Sequence, residues 1–261
     1  MSTRDGAILL GYGGSTHSKL ALAWADHLAH RLQRPLRVLV SALDVVDTLE
    51  ASTELGAAAV VAELETILET AQAPTTSVTT VLTAPGPALV REAQSAHLTV
   101  LGSRAHGALA SMVLGSVSQH VTRHAPGPVV VVREPQDPTA TRIVVGVDGS
   151  SGSQAALEFA FAHADEAGVP LAVLHAVLRE AGTPGTMVAD QIAPLAEKYP
   201  AVVVETQTVE ASPDHALVDA SQGAAMVVVG SRGRGALAAL LKGSIAQSVL
   251  QHAQCPVAVV R

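Results

Sequence analysis

Two stretches of this chain carry nearly the same text. Residues 102–133 (GSRAHGALASMVLGSVSQHVTRHAPGPVVVVR) and 230–261 (GSRGRGALAALLKGSIAQSVLQHAQCPVAVVR) align without a gap, with about 18 of 32 positions identical. Unrelated segments do not agree to that extent, and a repeat of this length sets the architecture before any other feature is read. The starts match as well: Ile8-Leu9-Leu10-Gly11-Tyr12-Gly13-Gly14-Ser15 answers Ile143-Val144-Val145-Gly146-Val147-Asp148-Gly149-Ser150. The chain of 261 residues is therefore a duplication, two domains of ordinary size. The polar segment Glu134–Thr141, twice interrupted by proline, reads as a linker between domains at 1–133 and 142–261.

Within the second copy, aliphatic runs of strand length alternate with helical patterns. Strands are expected at 142–147, 171–176, 202–209, 225–230 and 256–261. A helix follows the first strand, with Leu157, Phe161 and Ala164 on one face, and others are expected at 189–198, after Ser212-Pro213-Asp214, and at 243–253. Ser151-Gly152-Ser153-Gln154 fits a capping box at the start of the first helix. The first copy has the same order, with a longer second helix near 53–72. Strand–helix alternation at this spacing requires right-handed crossovers, so each copy is an α/β domain with a five-stranded parallel sheet and helices on both faces, a Rossmann-like architecture. Composition agrees. Apolar residues make up 48% and aromatics only 2%, so Val, Leu, Ile and Ala fill the cores, as in sheets buried on both faces.

The formal charge of −7 argues against nucleic acid as a partner. No apolar run approaches the roughly 18 residues that cross a bilayer, and Met1–Asp5 leads into a strand without a secretory signal, so a cytoplasmic protein off the membrane is expected. One cysteine, Cys255, gives no disulfide framework. The histidine pairs His27/His30 and His120/His124 lack an H-E-x-x-H arrangement and read as helix-face residues, with no metal site expected.

In an open parallel sheet, ligands bind beyond the C-terminal ends of the strands. Several pieces of the second copy should converge there. Gly230-Ser231-Arg232-Gly233-Arg234-Gly235 follows the fourth strand, and Gly243-Ser244-Ile245 opens the last helix. Consecutive N–H groups in a glycine-rich turn form an anion-binding concavity, and a helix start adds further free N–H groups and partial positive charge. The second half holds about 7 basic and about 13 acidic residues, yet Arg232, Arg234 and Lys242 all fall inside this motif. Asp148 supplies a carboxylate suited to a ribose hydroxyl. No catalytic residue is assigned, and the Walker pattern GxxxxGK[S/T] is absent.

Gly230-x2-Gly233-x9-Gly243-Ser244 resembles the G-x2-G-x9-G-[S/T] ATP-binding pattern of the universal stress protein family. Asp148-Gly149-Ser150 and the closing Cys255-Pro256-Val257-Ala258-Val259-Val260 are similar to that family too. The resemblance covers both halves, the tandem type. It implies adenine nucleotide, ATP with Mg²⁺ accompanying it, held without rapid turnover in a stress-response regulatory role. Asp148 would meet the ribose and adenine side, backbone near Ala176 the adenine, residues 230–235 the phosphates, and Gly243, Ser244 and Ile245 would close over them, with Gly146 also among the nucleotide-binding residues. It also implies pairing of the two copies through their closing strands, an internal pseudo-dimer or a homodimer. AMP or cyclic AMP as ligand, and a nucleotide-independent interaction module, are the alternatives. Slow hydrolysis or self-phosphorylation is compatible with the motif but not required by it. An adenylyltransferase would need an H-x-G-H signature, which is absent, and Gly13-Gly14-Ser15 matches the S-G-G-x-D-S of ATP pyrophosphatases only weakly.

The first copy retains Gly11, Ala42, Gly102, Ser103, Arg104, Gly107, Gly115 and Ser116 as weaker candidates, but Gly13 replaces Asp148 and Ala105 replaces Gly233. Losing a charged hydrogen bond costs about 1.5–3 kcal/mol. Alanine in a left-handed turn costs roughly 1–2 kcal/mol more. At about 1.4 kcal/mol per decade, a site in the first copy is expected to be about two to three decades weaker.

Overall fold

The computed structural model of the chain describes residues 6–42, 53–103, 114–133, 139–177, 186–231 and 244–261, with side chains from 58 and from 188 in the helices that start at 53 and 186. The chain divides into two compact units, Met1–Arg133 and Glu134–Arg261.

The first unit runs β1 (Ile8–Tyr12), α1 (Thr16–Arg31), β2 (Leu36–Ser41), α2 (Thr53–Leu68), β3 (Thr76–Val81), α3 (Pro85–Glu92), β4 (Leu98–Gly102), α4 (Ser116–His124), β5 (Val129–Val132). The second repeats it: β6 (Ile143–Gly146), α5 (Ser151–Ala167), β7 (Leu171–Val177), α6 (Thr186–Lys198), β8 (Val204–Glu210), α7 (Pro213–Ala220), β9 (Met226–Gly230), α8 (Ser244–His252), β10 (Val257–Val260). Each unit pairs its strands in parallel, in the order β3-β2-β1-β4-β5 and β8-β7-β6-β9-β10. The order reverses beside the first strand of each unit, and the C-terminal ends of β1 and β4, or of β6 and β9, flank the opening where ligands bind in such sheets. Among the described residues no helix is long and apolar enough to cross a membrane.

The two copies differ in length in one place. From Ser41 to Thr76 the first unit takes seven residues more than the second takes from Ala176 to Val204, and α2 has 16 residues against 13 in α6. Strand limits in the second unit lie within two residues of the expected ranges; β7 and β8 each end one residue beyond, and most of the others fall inside. Val202 illustrates why: its N–H bonds to Tyr199 O at 3.1 Å, closing a turn, so β8 starts only at Val204.

The cores are aliphatic, with Ile8, Leu9, Leu10, Leu157 and Leu171 fully buried. At equivalent positions on α1 and α5 the copies use different devices. Asp26 accepts from the Gln72 and Ala73 N–H groups at 3.0 and 2.9 Å, pinning the chain after α2. Phe161 instead stacks on Tyr199, ring centroids 6.0 Å apart.

The start of α5 differs from the capping box expected at Ser151. Ser150 is the N-cap, its hydroxyl accepting from Ser153 N at 3.1 Å, and Ser151 is already helical. The positive φ of Gly149 (77°) turns the chain one residue earlier, which leaves Ser150 extended and facing the open N–H groups. Gln154 does not reach back; its amide donates forward to Glu158 at 3.3 Å. Ser15 caps α1 in the same way, after Gly14 at φ 79°.

The ends of these helices also correspond. α5 stops at Gly168 in the left-handed region (φ 62°), and α1 is followed by Gln33 at φ 51°. A Cβ at Gly168 would meet nothing within 4 Å, so only backbone strain opposes one. Gly168→Ala should therefore cost about 1–2 kcal/mol, read as a lower unfolding midpoint. A midpoint equal to that of the parent chain would contradict the assigned helix end.

Candidate functional site

Asp148 follows β6 and makes its own turn: Oδ1 accepts from Ser150 N at 2.9 Å. The side chain thus forms a turn of its own. A carboxylate offers about four lone-pair positions, so turn formation and ribose binding are compatible. The residue before it, Val147, donates to Leu174 O at 3.0 Å and accepts from the ring of His175, whose Nδ1 lies 2.9 Å from Val147 O. Ala176 follows, in register with Val209 on β8.

Gly146 and Gly230 are among the expected nucleotide-binding residues, yet both also face atoms of their own unit, and at Gly230 those atoms are backbone. A Cβ at Gly146 would stand 2.9 Å from Leu217 Cδ1 on α7. At Gly230 it would stand 2.6 Å from Gly152 O and 3.1 Å from Ser153 N, inside the first turn of α5. The first copy repeats the pattern: Gly11 faces Leu101 and Leu89, and a Cβ on Gly102 would reach His17 O at 2.7 Å.

Beyond Gly230, Ser231 N donates to Val260 O at 2.7 Å, continuing the ladder one step past β9. Ser244 and Ile245 open α8 on the surface. Arg232, Gly233, Arg234, Gly235, Lys242 and Gly243 lie outside the described residues, as do Arg104, Ala105 and Gly107 of the first copy.

In the first unit the motif's two flanks meet directly. Gly115 N donates to Ser103 O at 2.9 Å, Ser118 Oγ donates to Gly102 O at 2.7 Å, and Gln119 Nε2 donates to Leu114 O at 2.7 Å. The start of α4, with Gly115 as its N-cap and Ser116 exposed, is therefore held against the end of β4. Leu114, where the second copy has Lys242, is buried.

Strand register corrects one correspondence. Ile8 pairs Leu36 as Ile143 pairs Leu171, so the counterpart of Ala176 is Ser41, not Ala42. Ser41 is buried and its hydroxyl donates to Thr83 O at 2.8 Å, a bond that Ala176 cannot make. His175 was not singled out from the sequence, although a histidine inside Leu171-Ala172-Val173-Leu174-His175-Ala176-Val177 was the available signal.

The rings of His120 and His124 lie tilted against each other with centroids 4.4 Å apart, and Nδ1 of His124 lies 2.8 Å from His120 O. His252 repeats that bond to Ser248 O at 2.9 Å. In both copies the ring closes the last turn of its helix.

The sequence model of the Universal stress protein family matches residues 6–133 and again 139–261, and the chain belongs to that family. Universal stress proteins of Mycobacterium bovis and Mycobacterium tuberculosis are each 38% identical over 198 residues, covering 69% of this chain and 67% of the relative. A crystal structure of a universal stress protein from Archaeoglobus fulgidus shares the fold at TM-score 0.78 and 22% identity, covering 98% of both chains. The structure of a functionally unknown protein from Pseudomonas aeruginosa follows at TM-score 0.66 and 18% identity, covering 97% of this chain and 92% of that one.

Two outcomes follow from the site's packing. Gly230→Ala should lower stability by about 1–3 kcal/mol with no nucleotide present, because the added methyl meets backbone. Unchanged thermal unfolding would return Gly230 to a ligand-contact role alone. At the end of β1, Tyr12 stands where the second copy has Val147. Burial, and secondarily the Glu63 carboxylate, pushes its phenol up to about 12. The unfolded chain loses this proton near pH 10 and the folded chain later, so stability is present below pH 10 and falls as pH rises towards 12. Tyr12→Phe should flatten that part of the pH–stability curve; an identical slope in the variant would refute the assignment.

Proposed function

We propose that the chain is an adenine-nucleotide-binding regulatory protein that holds ATP in its second unit and consumes it slowly or not at all. What carries this reading is the complete Gly230-x2-Gly233-x9-Gly243-Ser244 spacing at the C-terminal edge of a sheet whose neighbouring strand ends in the Asp148 turn. Backbone N–H groups of the 230–235 and 243–245 segments would hold the phosphates, with Arg232, Arg234 and Lys242 balancing their charge and Mg²⁺ arriving with them. Asp148 would take the ribose, and backbone at Ala176 the adenine. AMP or cyclic AMP would use the same ribose and adenine groups and engage fewer of the phosphate donors. The protein acts in the cytoplasm through a partner or conformational state that depends on nucleotide occupancy, and the two copies form the pseudo-dimer expected of the tandem type.

A second reading, a nucleotide-independent interaction module, draws on Gly230, which packing against the Gly152 backbone alone accounts for. Equilibrium dialysis with ATP separates the two. Asp148→Glu and Gly233→Ala should each weaken binding by about one to two decades. Unchanged affinity in both variants would place the nucleotide elsewhere. No thermal shift with ATP, and no nucleotide released from freshly purified protein, would leave the interaction module standing.

A further inference from the structure

His175 is 3% exposed, at the C-terminal end of β7. A carbonyl oxygen can only accept, so the Nδ1 that lies 2.9 Å from Val147 O carries the proton and donates it. Nε2, on the other side of the ring, has no hydrogen-bond partner among the described residues. Nothing described fastens the far side of the ring, so its bond to Val147 is what the buried imidazole contributes.

That bond falls where the backbone ladder stops. Val147 N–H bonds to Leu174 O as the last rung between β6 and β7, and the chain then leaves the sheet into the Asp148-Gly149-Ser150 turn. The side chain of His175 adds one more rung and fixes the plane of the peptide that joins Val147 to Asp148. We propose that His175 is a positioning residue for the nucleotide site of the second unit: by holding Val147 O it aims the Asp148 carboxylate. This rests on the reading that Asp148 meets the ribose.

The first copy offers an internal comparison. Tyr12 pairs Val40, so Val40 is the counterpart of His175, and Gly13 is the counterpart of Asp148. The histidine and the carboxylate are present together in one copy and absent together from the other. Val40 is completely buried in a well-formed strand, so valine at this position is compatible with the fold.

The test uses the full chain with valine, which removes the donor, and asparagine, whose amide nitrogen reaches about where Nδ1 stands. In dialysis with ATP, His175→Val should weaken binding about three- to tenfold, the scale of one hydrogen bond, while His175→Asn stays within about twofold of the parent. In an Asp148→Asn background His175→Val should have no further effect, because the ring acts through that carboxylate. Equal losses in both backgrounds, or parental affinity in His175→Val, would overturn the proposal. Amide exchange at Ser150, whose N–H is held by Asp148, reads the same geometry without nucleotide. Relative to Val227 in β9, it should accelerate about threefold or more in His175→Val and return to the parental rate in His175→Asn. Unaltered exchange would defeat the positioning role even if ATP binds, whereas accelerated exchange in a chain that binds no ATP would leave that role intact and remove only the nucleotide reading.

Discussion

The first turn of α5 lies so close to the end of β9 that one methyl group on Gly230 would overlap the Gly152 carbonyl. Much of the site's arrangement depends on this approach. It draws the N-terminus of the helix that follows β6 onto the neighbouring strand, and so places the Asp148 turn, which caps that helix through Ser150, beside the strand end where the 230–235 segment begins. Gly102 does the same against His17 and Ser18 in the first copy. A side chain at either position would push helix and strand apart, and the two halves of any ligand cradle with them.

The copies then diverge around this shared frame. The first closes its strand ends with apolar or short groups: Tyr12 and Leu114 are buried, Val40 stands for His175, and Gly13 for Asp148. The second carries the carboxylate, the histidine behind it and Lys242 at the matching positions. Ser118 bonds the Gly102 carbonyl, and its counterpart Ala246 has no hydroxyl to offer Gly230. The differences at 13/148, 40/175 and 118/246 leave more polar groups open at the second unit's edge, whereas Tyr12, whose buried phenol has no hydrogen-bond partner among the described residues, runs the other way against Val147.

The architecture was legible because it rests on repeated, period-driven signals. Alternating aliphatic runs and amphipathic stretches, present twice, require parallel crossover units, and the family and sheet order agree with that. Details set by a single dihedral were not. The positive φ of Gly149 moved the helix cap from Ser151 to Ser150, and the register of β2 moved the adenine-side counterpart from Ala42 to Ser41. The cap shift turns on one glycine dihedral that no local pattern encodes, whereas the gapless alignment of the two copies from Ile8/Ile143 onward already pairs Ser41 with Ala176. His175 escaped notice for a different reason: its contact is with backbone of another strand, which no local motif encodes.

A glycine motif conflates two demands, room for a neighbouring helix and room for a ligand, and the duplication separates them. Gly11/Gly146 and Gly102/Gly230 are kept in both copies, and in both a Cβ would strike the unit's own atoms. Positions 13/148 and 105/233 differ between the copies. At 13/148, where the structure describes both, the second copy has a carboxylate in the turn and the first has no side chain. Packing must be satisfied in both units for either to fold, whereas a ligand need be held in only one. The positions free to diverge are thus the ones to which a binding function is most economically assigned, and the invariant glycines, prominent as they are in the motif, carry less of that weight.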